Sequence, residues 1–208
     1  MDKFPSQKEF LSGVSEFCRH EKRDAMYRVA TKLVAGSWGN WEEVTDGLGV
    51  LLLTWNQALY RYGIFDFDKL ESFLKKRQDD INSFRSRSLE SLSKQDEGKI
   101  KILFGELLRA LTSEGKDKKQ RKSPVAVAKA LHLLAPGFFP IWDNAIAREY
   151  GCYWMTSDQA PEEYIAFCRK NKDFMAYLIK EDMTKPEGKS WVKLIDEYNY
   201  AKFTYQWI

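Results

Sequence analysis

At 208 residues, with 44% hydrophobic and 30% charged side chains, the chain is long enough for one large domain or two lobes sharing a core, and it carries no disorder signature. A formal net charge of +3 is too small to demand a nucleic-acid partner, and permits one only where cations cluster on one face. The opening MDKFPSQKEF lacks the layout of a secretory leader, and the longest strongly apolar run, Leu48 to Leu53, is far short of a membrane span, so a cytoplasmic protein with no membrane role is expected.

Helical periodicity dominates from the start. Phe10, Val14, Phe17 and Cys18 fall on one stripe, and Met26, Val29, Ala30 and Leu33 on a second. GSWGNW (36–41) reads as a packed inter-helix loop or a lid, and GNWEEVTDG (39–47) as a break. Leu48, Leu51, Leu52, Trp55, Leu59 and Tyr62 form a further stripe that Gly63 ends. The cleanest amphipathic helix carries Ile100, Leu103, Phe104, Leu107, Leu108 and Leu111.

A second break, TSEGKDKKQRKSP (112–124), precedes a small-residue helix, Pro124 to Leu134. Ala135-Pro136-Gly137 stops that helix, Phe138-Phe139-Pro140 crosses in extended form, and Asp143 opens the next. Pro161 starts another helix beside Glu162 and Glu163, with Ile165, Cys168, Met175 and Leu178 as its buried face. The tail YNYAKFTYQWI fits either a strand or a helix end. The fold class is all-α, with nine or ten helices.

Cys18, Cys152 and Cys168 form no CxxC pair and read as buried, reduced thiols. His132 reads as a hydrogen-bonded core residue and His20 as solvated. HExxH, Cys/His clusters, Walker loops and dinucleotide fingerprints are all missing from the sequence, so no metal or cofactor is expected.

Two stretches carry chemistry. KDKKQRK (116–122) sets Lys116, Lys118, Lys119, Arg121 and Lys122 against Asp117 alone. It is either a solvated loop or, leading into the helix that Ser123 and Pro124 open, a phosphate clamp. Asp143 follows an apolar run, where an unpaired carboxylate is costly. It either caps the next helix or sits in an environment built for chemistry.

The stretch RKSPVAVAKALHLLAPGFFPIWDNAIAREYG (121–151) resembles the helix-hairpin-helix DNA glycosylase superfamily, whose signature ends in a Gly/Pro-rich loop and a lone aspartate at a helix start. One departure is plain. The usual hairpin turn has glycines that let a phosphate approach the backbone, and Lys122-Ser123-Pro124-Val125-Ala126 has none.

The resemblance implies a single two-lobed helical domain over 1–208, its lobes meeting near 112–124, acting as a monomer on double-stranded DNA with a modified base. It implies that Asp143 stabilises positive charge on the deoxyribose or deprotonates the nucleophile. Against the 8-oxoguanine enzymes with the ordinary hairpin, Ala126 takes the place of the catalytic lysine and none is implied; against the divergent archaeal 8-oxoguanine glycosylases, Lys122 takes it, its other reading being a phosphate contact. Lys129, two turns along the same face, is the second candidate nucleophile or an ion-pair partner of Asp143. DNA contacts then fall to Lys116, Lys118, Lys119, Arg121 and Ser123, and the base pocket to Trp55, Asn56, Gln57 and Trp142. The alternatives are a non-catalytic nucleic-acid-binding module of the same fold, and a helical protein-interaction domain.

Overall fold

The computed structural model describes residues 4–22, 24–55, 63–115, 120–186 and 188–208. Among them are nine α-helices: α1 (Gln7–His20), α2 (Ala25–Gly36), α3 (Trp41–Trp55), α4 (Phe67–Arg85), α5 (Lys94–Ala110), α6 (Pro124–Leu134), α7 (Asn144–Glu149), α8 (Ala160–Lys180) and α9 (Trp191–Asn199). The mostly helical class expected from periodicity is the one observed.

Side-chain caps set most of the helix starts, because the first backbone N–H groups have no partner inside the helix. Ser6, Asp66, Ser123, Asp143 and Ser190 each accept from a backbone N–H of the first turn of α1, α4, α6, α7 and α9. Ser93 and Asp96 form a reciprocal capping box at α5. Pro124 supplies the preset first residue of α6.

The buried side chains make one contiguous core from Phe10 in α1 to Tyr198 in α9. The expected inward faces of α5 and α8 are all there: Ile100, Leu103, Phe104, Leu107, Leu108 and Leu111, and Ile165, Cys168, Met175 and Leu178. α1 and α9 lie against each other, close enough that a Cβ on Gly13 would stand 2.6 Å from Cδ2 of the buried Tyr198.

Four sequence readings are corrected. The break expected at 39–47 is helical from Trp41 onward. Gly39 does serve a turn, at φ 96°, but Gly47 serves close packing within the helix, since a Cβ on it would come within 2.2 Å of Leu33 Cδ2. α2 turns Ala30 and Val34 inward and leaves Met26, Val29 and Leu33 exposed, because its apolar residues wrap too far round to fix one face. Cys18 is exposed, while Cys152 and Cys168 are buried. Finally, a small antiparallel sheet, order β1-β2-β3, joins Gly63–Ile64, Ser113–Gly115 and Gln120–Arg121. Strands this short leave no legible alternation.

The tail resolves as an extension of α9. Tyr200–Thr204 forms a π-helical turn in which Tyr205 N–H donates to the Tyr200 carbonyl at 3.1 Å. Such turns interrupt the regular helix spacing and are frequent at functional sites.

Candidate active site

The apolar loop between α6 and α7 is fixed from both ends. The Leu134 carbonyl closing α6 accepts from Arg85 Nη1 at 2.6 Å, and Phe138 and Phe139 pack on Phe84. A turn at 135–138, rather than an extended crossing, follows the helix, with Phe138 and Phe139 N–H both donating to the Ala135 carbonyl. Tyr164 Oη then donates to the Pro140 carbonyl at 2.8 Å. The loop therefore delivers Asp143 to one position.

Asp143 is half-buried and does cap α7. Its Oδ1 accepts from Ile146 N–H at 2.8 Å, and its Oδ2 accepts from Thr204 Oγ1 at 2.6 Å. The π-helical turn after α9 thus places a hydroxyl on this carboxylate.

Lys129, on α6, is half-buried. Burial lowers its ammonium below the usual lysine value, while the nearby charges of Asp196 and Asp143 act the other way. One turn on, His132 is wholly buried. Its Nδ1 lies 2.7 Å from the Phe139 carbonyl, which can only accept, so Nδ1 carries the proton and Nε2 accepts from Tyr27 Oη at 3.0 Å. Burial pulls this imidazole down to about 3, so it is neutral at pH 7.

That has a stability consequence with a definite sign. The unfolded chain protonates His132 near its ordinary value of about 6.5, the folded chain only near 3, so stability falls as pH drops through that window. His132→Phe should remove a slope of up to about 1.4 kcal/mol per pH unit between those limits, read from urea midpoints at successive pH values.

Beyond Tyr27 lies a group of charges that periodicity did not reveal. Lys193 of α9 is 4% exposed, with Nζ 3.2 Å from Asp24, 3.3 Å from Asp196 and 3.8 Å from Glu197. The same ammonium sits 4.3 Å over the Tyr27 ring and 4.7 Å over Phe17. Burial alone would lower it, but the three carboxylates overcome that and raise it above the usual lysine value. Burial raises Glu197, against Lys193 and Lys189, and pushes Asp196 up to about 6 against Lys193. Lys189 grips both oxygens of the fully buried Glu197 at 2.7 and 2.8 Å.

Asp24 reaches this cluster from a left-handed backbone, φ 39° and ψ 43°. That conformation costs a non-glycine residue about 1–3 kcal/mol and persists only where its surroundings hold it. WVKLIDEYN had the one sequence signal, three charges at i, i+3 and i+4 on an otherwise apolar helix.

The remaining predicted site residues separate. Lys122 is exposed, with Nζ 3.7 Å from Asp158, so it faces an anion rather than the half-desolvated cationic setting expected of it. Ser123 uses its Oγ to cap α6, accepting from Ala126 N–H at 3.2 Å. Arg121 lies on β3, so the basic run reaches α6 by way of a strand. The small residues Ala126, Ala128 and Ala130 are buried by neighbouring elements and line no ligand surface.

Trp142 is wholly buried, ringed by Phe104, Trp154, Tyr164 and Phe167, and Nε1 donates to the Pro124 carbonyl at 3.3 Å. It has no face left for a base and is a core residue, correcting its assignment to the pocket. Asn56, Gln57, Lys116, Lys118 and Lys119 lie outside the described residues, as does the side chain of Trp55.

Among the described residues no set of three or more His, Cys, Asp or Glu side chains could hold a metal ion, and no helix is long and apolar enough to cross a membrane. Comparison with protein-family models, curated proteins and solved structures finds no match to this chain.

Proposed function

We propose that the chain is a DNA base-excision glycosylase of helix-hairpin-helix type, which extrudes a modified base and cleaves its N-glycosidic bond with Lys129 and Asp143. One observation carries the reading. The Lys129 amine is half-buried in the middle of α6, the helix that precedes the motif's loop, with Asp143 and Asp196 as its charged neighbours. A desolvated lysine loses its proton more easily, and only the neutral amine is a nucleophile.

In this mechanism the Lys129 ammonium gives up a proton and its nitrogen attacks C1′ of the extruded nucleotide. The bond from C1′ to the base breaks, the electron pair leaves with the base, and the base is protonated as it departs. The Asp143 carboxylate stabilises the positive charge that develops on the sugar. Opening of the sugar ring then yields a Schiff base to Lys129, which licenses strand cleavage. Arg121, Lys122 and the lysines of 116–119 supply phosphate contacts.

The test is borohydride trapping on duplex oligonucleotides carrying 8-oxoguanine, uracil, an alkylated purine or an abasic site, with the modified lysine located by peptide mass spectrometry. An adduct on Lys129 is expected. An adduct on Lys122 would keep the enzyme and move its nucleophile. Neither adduct nor alkali-sensitive breaks on any substrate would leave a non-catalytic nucleic-acid-binding module, provided salt-dependent DNA binding remains.

A further inference from the structure

The geometry points to a second binding site, a cleft between α1, the end of α7, α8 and the π-helical turn that takes a phosphate monoester carrying an aromatic ring, such as a nucleoside 5′-monophosphate. Neither Lys129 nor Asp143 lines this cleft, so the inference stands apart from the glycosylase reading.

The cleft has a volume of 810 Å³, a size usual for small-molecule sites. Phe4, Pro5 and Ser6 form one wall, and this segment is pinned. The Phe4 ring stacks on Phe174 and Tyr177, with centroids 5.2 and 5.1 Å away, and Tyr177 Oη donates to the Pro5 carbonyl at 3.1 Å. The π-helical turn supplies another wall through Lys202 and Phe203.

Three cations and two carboxylates line the cleft, and they are unequally engaged. Lys202 is paired, since its ammonium donates to Glu9, which also accepts from Tyr198 Oη at 3.3 Å. Glu149 is exposed and has a partner of its own. Lys170 donates instead to the Tyr150 carbonyl, a neutral acceptor that occupies one of the three donors of an ammonium. Arg148 sets its guanidinium over the Tyr153 ring, 4.0 Å from the centroid, a contact that uses the face of the fork and leaves its edge of N–H donors. Among the described residues, neither Lys170 nor Arg148 forms an ion pair with a carboxylate.

These two cations select the ligand. A phosphate monoester carries about −1.5 to −2 charges at pH 7, enough for both, and its oxygens suit a guanidinium fork and an ammonium together. A carboxylate or a phosphodiester brings one charge and leaves a cation unmatched. The aromatic side chains add the ring. Phe4, Tyr177 and Phe203 are each half-buried and share the cleft with the cations, so a flat ring attached to the phosphate takes aromatic surface out of water.

The experiment is calorimetric titration of the full chain with adenosine 5′-monophosphate (AMP), adenosine and inorganic phosphate. AMP should bind at one site with a Kd below about 1 mM, and the other two at least about tenfold more weakly, since each lacks half of the contacts. Arg148→Gln and Lys170→Gln should each weaken AMP about tenfold, the usual worth of a charge-assisted hydrogen bond. Lys180→Gln makes the same charge change at an exposed position of α8 outside the cleft, and should leave AMP within about twofold. Phe203→Leu should weaken AMP about fivefold and leave phosphate unchanged.

An absence of saturation by about 5 mM AMP overturns the inference, and so does AMP binding that survives both Arg148→Gln and Lys170→Gln. Equal affinity for AMP and phosphate, or for AMP and adenosine, overturns the ligand class. A loss in Lys180→Gln as large as that in Arg148→Gln also overturns the site, by reducing it to general surface charge. Arg148 and Lys170 are exposed, so both variants should keep the wild-type melting temperature. Were either to lose it, the wild-type ranking of the three probes still decides.

Discussion

Lys193→Met should cost about 3–5 kcal/mol of stability at pH 7, the usual penalty for removing one partner from a buried ionic group. Methionine matches the aliphatic stem of lysine, so the loss reports the charge rather than a cavity. Without the ammonium, Asp196 and Glu197 remain buried with Asp24 beside them.

The pH dependence of the loss identifies its origin. Asp196 and Glu197 already have raised values in the fold, through burial, and should rise further in the variant. A carboxyl raised on folding stabilises the fold below its unfolded value and loses that stabilisation as pH climbs through the folded value. The deficit of Lys193→Met relative to wild type should therefore shrink steadily on acidification from pH 7 towards about 4, where unfolded carboxylates titrate. His132 runs in the opposite direction but is common to both proteins and cancels. Urea unfolding at four or five pH values settles it: a deficit below about 1 kcal/mol, flat with pH, would mean that Lys129 and Lys189 replace the missing charge.

Asp143 permits a separation of structure from chemistry. Asparagine retains an oxygen for Ile146 N–H, and asparagine and aspartate are near-equal helix caps, so Asp143→Asn should stay within about 0.5 kcal/mol of wild type. Asp143→Ala removes the cap and should cost about 1 kcal/mol. On the glycosylase reading base release should behave differently, falling about 10²- to 10⁴-fold in both variants, because that reading assigns the carboxylate charge to the developing positive sugar. On the same reading affinity for undamaged duplex should change little, since it assigns duplex binding to phosphate contacts elsewhere. Measured side by side, alkali-sensitive breaks and melting temperature give two rankings. If asparagine keeps the activity that alanine loses, Asp143 is a cap and nothing more.

What the sequence disclosed follows from the physics of each signal. α5 and α8 are long, with apolar residues confined to one face, so periodicity alone located their buried sides. Asp143 before a short helix is local chemistry acting over three residues, and that cap stands where the residues suggested, whereas the cap made by Ser123, read as a DNA contact, was not anticipated. The failures are tertiary. α2 has apolar residues on too broad an arc, and only its contacts with neighbouring helices select Ala30 and Val34. Trp142 was assigned to the base pocket, yet four aromatic rings from α5, α8 and the α7–α8 connection enclose it. Lys193, Asp196 and Glu197 suffered the reverse error. Charges on a helix ordinarily mean a wet face, and no local rule reveals that Asp24, far away in the chain, will face them.

The last helix has a role in folding as well. α9 brings Lys193 and Asp196, and the turn after it brings Thr204, to groups fixed by α2, α6 and α7. Joining segments so distant in sequence demands a large ordering of the intervening chain before any contact is gained, which makes it a late event in folding and an early casualty in opening. Until α9 docks, Asp24 lacks its Lys193 partner and Asp143 its Thr204 hydroxyl. A partly opened chain would therefore remain largely helical yet lack the buried Lys193 cluster.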